Sequence, residues 1–409
     1  MEGGRALTLA DKTSLTKYWI KITADKNQFK IEDNCGGITL DDAADYAFTF
    51  GRTVDDEPDN YSIGVYGIGM KRAVFKLGSS IKIHSTYRAK HRIESFAVPI
   101  DVPTWLKDDK SAHWDFDIEP AKSLEEPGVE ITVGALNDGA VTSFGDPAFI
   151  NRLKRVLARD YALHLHRGIS IHVNGDKILG WTIEFRDGGQ FSPMRLRYEE
   201  KLDAGKVKIE VLAGMAAPPP ESSEPREDEE GESRFGWYVI CNGRIVLAAD
   251  KTSVAGWGLD GWPQWHPQYN GFMGIILFTS ENASLLPLTT TKRSVDVSSP
   301  IYHRARPRMR EASKQWIAYT NARKLSVEDA RRKEELAKPR SIFSIRIREQ
   351  VALPKLAAVP QVKMANIGYS MPLERVRSLA DELGNINMSY RDVGLRSFEY
   401  AYDDLVGEE

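Results

Sequence analysis

The segment FKIEDNCGGITL, residues Phe29 to Leu40, carries the clearest structural signal in the chain. Apolar residues alternate up to Asp33, which is the pattern of a half-buried strand. Two consecutive glycines, Gly36 and Gly37, then predict a tight turn, because glycine adopts backbone conformations that other residues avoid. The following residues, TLDDAADYAF, predict a helix with Thr39 as its N-cap. A strand that ends in a carboxylate therefore leads through a glycine turn into a helix.

The composition is that of an ordinary globular protein. Its 409 residues exceed the length at which single cores stop growing, about 250–300 residues, so two or three domains are expected. The net charge of −3 gives no overall attraction to nucleic acid or to a membrane. Two distant cysteines, Cys35 and Cys241, predict no disulfide framework. No apolar run reaches the roughly 18 residues of a membrane span, so we expect a soluble, cytoplasmic protein that does not contact membranes.

Hydrophobic patterns divide the chain into three predicted parts. Alternation in Trp19–Ile22 and Gln28–Ile31 predicts a hairpin, and further strands and a helix around Pro147–Leu163 follow it. The acidic, proline-rich segment 216–233 predicts a solvated loop inside a second α/β domain. From residue 300 onward the composition is helical. We therefore expect domains at residues 1–165, 166–300 and 301–409.

A second glycine motif, GVYGIGMK, contains Gly64, Gly67 and Gly69 and opens a short helix that we expect to end with Gly78 as its C-cap. It is no P-loop, since no Gly-Lys-Ser/Thr follows, and its spacing is not the dinucleotide fingerprint. Free backbone amides at such a turn, aided by the helix dipole, can bind an anion. The alternative is a plain strand–turn–helix with a glycine-rich loop.

The order of these features resembles the GHKL superfamily, the histidine kinase-like, gyrase-type and heat-shock-chaperone-type ATPases with the Bergerat fold. The likeness is greatest to Microrchidia-type and MutL-type proteins, whose second motif is similar to GVYGIGMK. The resemblance implies an α+β chain with a two-layer α/β sandwich, the Bergerat ATP-binding fold. A transducer-like α/β domain and a helical C-terminal region would follow it. The likeness covers roughly Tyr18 to Val297.

At the adenine end, the resemblance implies that Asp33 accepts a hydrogen bond from the exocyclic amine of ATP. An ionised carboxylate only accepts hydrogen bonds, which suits that donor. Gly36 and Gly37 would let the backbone approach the ring. Gly128 lies in EPGVEITV, which resembles the family's third motif, where Gly-Thr helps hold a water on the aspartate. Val129 stands where the family has a threonine, which should weaken adenine binding by about 1 kcal/mol. Cysteine replaces the first glycine of the usual Asp-x-Gly-x-Gly.

At the phosphate end, the resemblance implies a lid, residues 51–63, that closes over ATP. Lys292 in LPLTTTKRSVD is similar to the lysine that the family's transducer domain sends to the γ-phosphate. Such a lysine would sense the nucleotide and make the chain a conformational switch operated by ATP. The phosphates would be held by the glycine turn and a nearby lysine: Gly64, Gly67, Gly69 and Lys71.

The family's first motif, a helix with a water-activating glutamate and an Mg²⁺-binding asparagine, has no full counterpart. MEGGR is similar only to its tail, with Glu2 and Gly3 at the place of an Asp-Gly pair. Either the start is assigned too late, or the sequence is a fragment, or hydrolysis is lost. Glu32 is no substitute base, because strand alternation points it away from Asp33. Mg²⁺ is thus implied by the family without a ligand, and the alternative function is a non-hydrolysing nucleotide-binding or scaffold protein.

Three histidines and three tryptophans receive structural interpretations. The histidines alternate in LHLHRGISIH and are expected on strands, since no other ligand stands at a metal-site interval. The tryptophans of WGLDGWPQWHP are expected to pack against the second domain. The residues concerned are His164, His166, His172, Trp257, Trp262 and Trp265.

The sequence leaves two possible binding partners undecided, a nucleic acid and a second copy of the chain. Residues 301–340 contain twelve Lys or Arg against five Asp or Glu, so this helical segment could bind the phosphates of a nucleic acid or form a solvated face. A homodimer is implied only by the resemblance.

Overall fold

The structure is a computed structural model that describes residues 9, 13–48, 69–90, 92–108, 114–220, 234–289, 294–356 and 365–407. The chain divides into two compact units, Met1–Ala358 and Val359–Glu409. None of the helices in the described ranges combines the length and the apolar character that crossing a bilayer requires.

The first unit begins with an eight-stranded sheet. Its strands are β1 Trp19–Ala24, β2 Phe29–Asp33, β3 Gly78–Arg88, β4 Ile93–Asp101, β5 Glu119–Pro120, β6 Gly128–Leu136, β7 Ser170–Val173 and β8 Asp176–Lys177. They lie in the order β5–β4–β3–β6–β2–β1–β7–β8. β1 pairs with β7 in parallel, and the other described pairs are antiparallel. The predicted hairpin is confirmed as β1 and β2, with Asp25 accepting the backbone N–H of Asn27 at 2.7 Å in the turn.

Helices cover one face of this sheet. They are α1 Leu40–Asp42, α2 Gly69–Leu77, α3 Val102–Trp105, α4 Asp138–Phe144, α5 Pro147–Asp160 and α6 Ala162–His166, with a π-helical turn at Ala43–Ala47. Ile81 and Val133 of the sheet pack with Val74 of α2, whereas Ile171 packs with Ile150 of α5. The α+β class is therefore confirmed.

Local predictions at three of these helices have different outcomes. Thr39 caps α1 as expected, because its hydroxyl accepts the N–H of Asp42 at 3.1 Å. The expectation for Gly78 is wrong: it is the first residue of β3, and a Cβ there would lie 2.5 Å from the carbonyl oxygen of Gly134. His164 and His166 lie in α6 and not on a strand, because the short alternation LHLH also fits one turn of helix.

A second, five-stranded sheet fills the rest of the first unit. The elements are β9 Glu184–Asp187, β10 Met194–Leu202, β11 Gly205–Met215, β12 Gly236–Cys241, β13 Arg244–Asp250, β14 Phe272–Thr279, α7 Pro300–Arg323, α8 Val327–Leu336 and β15 Lys338–Ser341. The sheet order is β10–β11–β14–β12–β13, while β9 pairs with β15. Trp316 of α7 packs on one face, and Leu163 and Ile342 pack on the other. Trp257 and Trp262 are buried against this sheet, as predicted.

The predicted domain limits at residues 165 and 300 stay predictions. β7 and β8, which follow residue 165, belong to the first sheet, and α7, which follows residue 300, packs on the second sheet. Of the predicted acidic loop 216–233, the part from residue 221 onward lies outside the described residues.

The second unit is helical, as predicted for the C-terminal region. It contains α9 Leu373–Glu382 and α10 Tyr390–Leu405. Ser389 caps α10 by accepting the N–H of Asp392 at 3.2 Å. Ala380 and Val393 are the buried apolar residues among those described in this unit.

Candidate nucleotide site

Three side chains form a row across the first sheet: Asp33 from β2, Val129 from β6 and Ser85 from β3. Ser85 of β3 pairs with Val129 of β6, and the pairing of Glu32 with Glu130 places Asp33 beside Val129. Ile31 and Ile83, two residues earlier on β2 and β3, pack into the helix-covered core. Because side chains alternate along a strand, Asp33 and Ser85 belong to that same face.

The chain leaves β2 at one end of this row. The carboxylate of Asp33 accepts the backbone N–H of Cys35 at 2.7 Å. The N–H of Gly36 then donates to the carbonyl oxygen of Pro127, just before β6, at 3.1 Å. The segment after β2 is thus hydrogen-bonded at Cys35 to Asp33, the last residue of β2, and at Gly36 to Pro127, the residue before β6.

Ser85 fixes the far end of the same segment. Its hydroxyl accepts the N–H of Ile38 at 2.7 Å and donates to the carbonyl oxygen of Ile38 at 2.8 Å. Ser85 is fully buried, so both hydrogen bonds replace contacts with water. Sequence reasoning missed this residue, although a hydroxyl at the position that follows Ile81 and Ile83 in the alternation was a visible signal.

Two glycines let these backbones lie against each other. A Cβ on Gly37 would lie 2.0 Å from the carbonyl oxygen of Thr86, and one on Gly128 would lie 1.8 Å from that of Asp33. Gly37 also has a φ of +77°, which favours glycine. Gly36 has a φ of +110°, and no atom of the described residues lies within 4 Å of its hypothetical Cβ. Among the described residues, the turn is therefore tight at Gly37 and open at Gly36.

Burial shifts the pKa of the two titratable groups here. It raises the pKa of Asp33, and hydrogen bonds from Cys35 and Val129 oppose that rise. Burial together with the charge of Asp33 raises the pKa of the Cys35 thiol to about 12. The thiol is therefore neutral at physiological pH, which makes Cys35 a structural and not a reactive cysteine.

A polar clamp behind the turn holds Asn34. Its side-chain oxygen accepts the N–H of Trp19 at 2.7 Å, and its amide donates to Glu126 at 3.0 Å. The indole of Trp19 donates to the other oxygen of Glu126 at 3.3 Å. This clamp orients the residue next to Asp33, and no local sequence pattern indicated it.

The predicted phosphate end is only partly described. Gly69 is the first residue of α2, and no described residue lies within 4 Å of its hypothetical Cβ. Lys71 is 3% exposed, and burial lowers its pKa. The lid 51–63, Gly64, Gly67 and Lys292 lie outside the described residues. The structure thus brings together Asp33, Gly36, Gly37 and Gly128.

No metal site emerges from the described residues, since they contain no group of three or more His, Cys, Asp or Glu that could hold an ion. His166 instead stacks on Phe343 at 3.9 Å between ring centroids.

Residues 9–110 match the family model described as Histidine kinase-, DNA gyrase B-, and HSP90-like ATPase. The matched range contains the hairpin, the glycine turn and α2. This match supports membership of the GHKL superfamily of ATP-binding ATPases for that part of the chain. No curated protein matches the chain.

Proposed function

We propose that the N-terminal sheet binds ATP, with the exocyclic amine of adenine donating to Asp33. The observation that carries this proposal is the half-buried Asp33 carboxylate at a strand end, flanked by glycine backbone. No described residue lies within 4 Å of a Cβ placed on Gly36, which leaves room for a planar ring. The likeness to the GHKL ATPases, supported by the family match, gives the nucleotide its identity.

The position of α2 supports phosphate binding at its N-terminus. α2 runs directly into β3 at Gly78 and packs on the helix-covered face. Its nine residues measure about 13 Å, whereas Gly78 and Ser85 are about 23 Å apart along β3. If α2 folds back over β3, its N-terminus at Gly69 would lie about 10 Å from the row formed by Asp33, Val129 and Ser85. An adenine bound to Asp33 would fill that gap, and the backbone N–H groups at Gly69 would then point toward the phosphates.

The proposed consequence of ATP binding is a conformational switch. Lid 51–63 and Lys292 would close on the γ-phosphate, and the second sheet would act as the transducer. The proposal covers binding and switching, because the described residues assign neither a general base nor an Mg²⁺ ligand. The alternative is a non-hydrolysing nucleotide-binding or scaffold protein. Such a protein would have the same fold but would not act as a switch operated by ATP. The homodimer implied by the resemblance stays a proposal without assigned residues.

Isothermal titration with a non-hydrolysable ATP analogue tests this function. Asp33→Asn should weaken binding by about tenfold or more, because the amide presents donors where the adenine amine needs an acceptor. Glu32→Gln is the matched control: Glu32 precedes Asp33 on β2 but pairs with Lys30 at 2.9 Å. Equal affinity of the wild type and Asp33→Asn would refute the site. No binding by the wild type would leave only the scaffold alternative.

A further inference from the structure

The second unit of the chain exposes a dense group of large apolar side chains. Residues 365–407 expose thirteen of them, whereas the described part of the much longer first unit exposes ten. Single apolar residues at a surface are ordinary, but a group of them marks an interaction surface. The second unit therefore carries a surface that another folded surface would cover.

The described residues of the second unit form almost no core of their own. Ala380 and Val393 are the buried apolar residues among them. Chains of about 40 residues usually need disulfides, metal ions or oligomerisation to hold a fold. This part of the chain contains no cysteine, and the described residues contain no group of metal ligands. Contact with another folded surface would supply the missing burial.

α10 carries the most regular part of this surface, which we call the α10 stripe: Leu395, Phe398, Tyr402 and Leu405, each at least 50% exposed. Their spacing of three, four and three residues is that of a seam between two packed helices. The rings of Phe398 and Tyr402 stack within the stripe, with their centroids 6.3 Å apart. The buried Val393 is two positions before Leu395, a step that turns the helix by about 200°. The stripe therefore faces away from the buried side of α10.

A second copy of α10 fits this stripe if the two helices run antiparallel. A two-fold axis level with Tyr400 would place Leu395 of one copy against Leu405 of the other. The same axis would place Phe398 of each copy against Tyr402 of the other. All four contact layers would then be apolar, and each copy would bury its whole stripe.

The charges beside the stripe favour this direction. Arg396 and Asp403 are seven residues apart, so they lie on the same flank of the stripe. The antiparallel pair brings Arg396 of one copy level with Asp403 of the other, within the range at which opposite charges attract. A parallel pair would turn Arg396 toward the opposite flank, where Gly394 and Ala401 carry no charge. In the antiparallel pair alone, Glu399 of the two copies would also approach each other near the axis.

We propose that α10 binds a second copy of α10 in the antiparallel direction, which makes the second unit a dimerisation element. This contact uses no residue of the nucleotide site, so it needs no ATP and is separate from the homodimer that the resemblance implies. The first unit of the same chain is the other candidate surface. Its exposed large apolar side chains, among the described residues, are widely spaced in sequence between Leu40 and Ile347. A second copy instead supplies a matching stripe by identity.

Analytical ultracentrifugation of the full chain without nucleotide tests the proposal. The wild type should sediment as a dimer, at twice the 45.9 kDa of one chain. Tyr402→Asp should raise the dimer dissociation constant by about a hundredfold or more, because each dimer would contain the buried charge twice. Tyr400→Asp is the matched control, since it adds the same charge at a 73% exposed position on the side away from the stripe. It should dimerise like the wild type.

Charge variants at exposed positions test the direction of the helices and leave the stripe intact, so they do not depend on how Tyr402→Asp folds. Arg396→Glu should raise the dissociation constant by about fivefold, because two attractive pairs become repulsive. Adding Asp403→Arg should restore it, since each pair is then reversed and not broken. Glu399→Gln should lower the dissociation constant, because the like-charge contact near the axis is removed.

Three results would overturn the proposal. A monomeric wild type would show that the first unit or another protein covers the stripe. A Tyr402→Asp variant that dimerises as tightly as Tyr400→Asp would place the dimer contact elsewhere. Failure of Asp403→Arg to rescue Arg396→Glu, with no effect of Glu399→Gln, would refute the antiparallel pairing.

Discussion

Replacing Gly128 by alanine tests the contact that shapes the nucleotide site. Gly128 begins β6, and its φ lies outside the left-handed region, so alanine would suffer no backbone strain of its own. The new Cβ, however, would lie 1.8 Å from the carbonyl oxygen of Asp33. A close C···O contact needs roughly 3.3 Å, so the two backbones would have to separate by roughly 1.5 Å.

The cost of this separation can be estimated. Overpacking costs about 1–3 kcal/mol, and each hydrogen bond lost where β2 meets β6 adds about 1 kcal/mol. With one such hydrogen bond lost, we therefore expect Gly128→Ala to lower the free energy of unfolding by about 2–4 kcal/mol. Gly36→Ala is the matched control, because it adds a methyl group at positive φ where no described residue lies within 4 Å. Strain alone should cost it about 1–2 kcal/mol.

Urea denaturation of both variants, followed by circular dichroism, measures these costs. Gly128→Ala should also weaken binding of the ATP analogue, because the shift moves Asp33 itself. A Gly128→Ala variant as stable as Gly36→Ala would show that the strand end is not packed as described.

Three further substitutions probe other parts of the first unit. Asp33→Asn should leave the free energy of unfolding of the nucleotide-free protein at pH 7 unchanged or raise it. Burial raises the pKa of Asp33 and so penalises its ionised form above that pKa. A large loss of stability in a urea titration would contradict this. Glu334→Ala should lower the free energy of unfolding by about 3–5 kcal/mol in the same assay, because the buried guanidinium of Arg323 loses its carboxylate partner. A loss below about 1 kcal/mol, as is typical of a surface pair, would contradict the burial of the Arg323–Glu334 pair. His164 has its pKa lowered to about 4 by burial and by the charge of Arg167. Its contribution to stability is therefore present above pH 6.5 and is lost as pH falls toward 4, with a slope of up to about 1.4 kcal/mol per pH unit. His164→Leu should have a shallower pH dependence, and an identical profile would contradict the assignment.

Local patterns predicted the elements that depend on neighbours in sequence. Alternation located β1 and β2, and a hydroxyl before an acidic turn located the cap at Thr39. The position of His164 was missed because four alternating residues fit a strand and a helical turn equally well. Gly78 was misread because a glycine after a helix usually ends it in a left-handed conformation. The structure shows instead that this glycine admits a neighbouring strand.

Contacts between distant segments could not be predicted in this way. Ser85 holds Ile38 across 47 positions of sequence, and Glu126 holds Asn34 across 92. No sequence pattern near Ser85 or Glu126 predicts these partners.

The sharpest test of adenine recognition compares ATP with inosine triphosphate, which lacks the exocyclic amine. Titration calorimetry should be run with both nucleotides on the wild type and on Asp33→Asn. The wild type should prefer ATP by about tenfold or more, since a hydrogen bond to a charged group contributes about 1.5–3 kcal/mol, and Asp33→Asn should lose that preference. An equal preference for ATP in both proteins would contradict the role of Asp33.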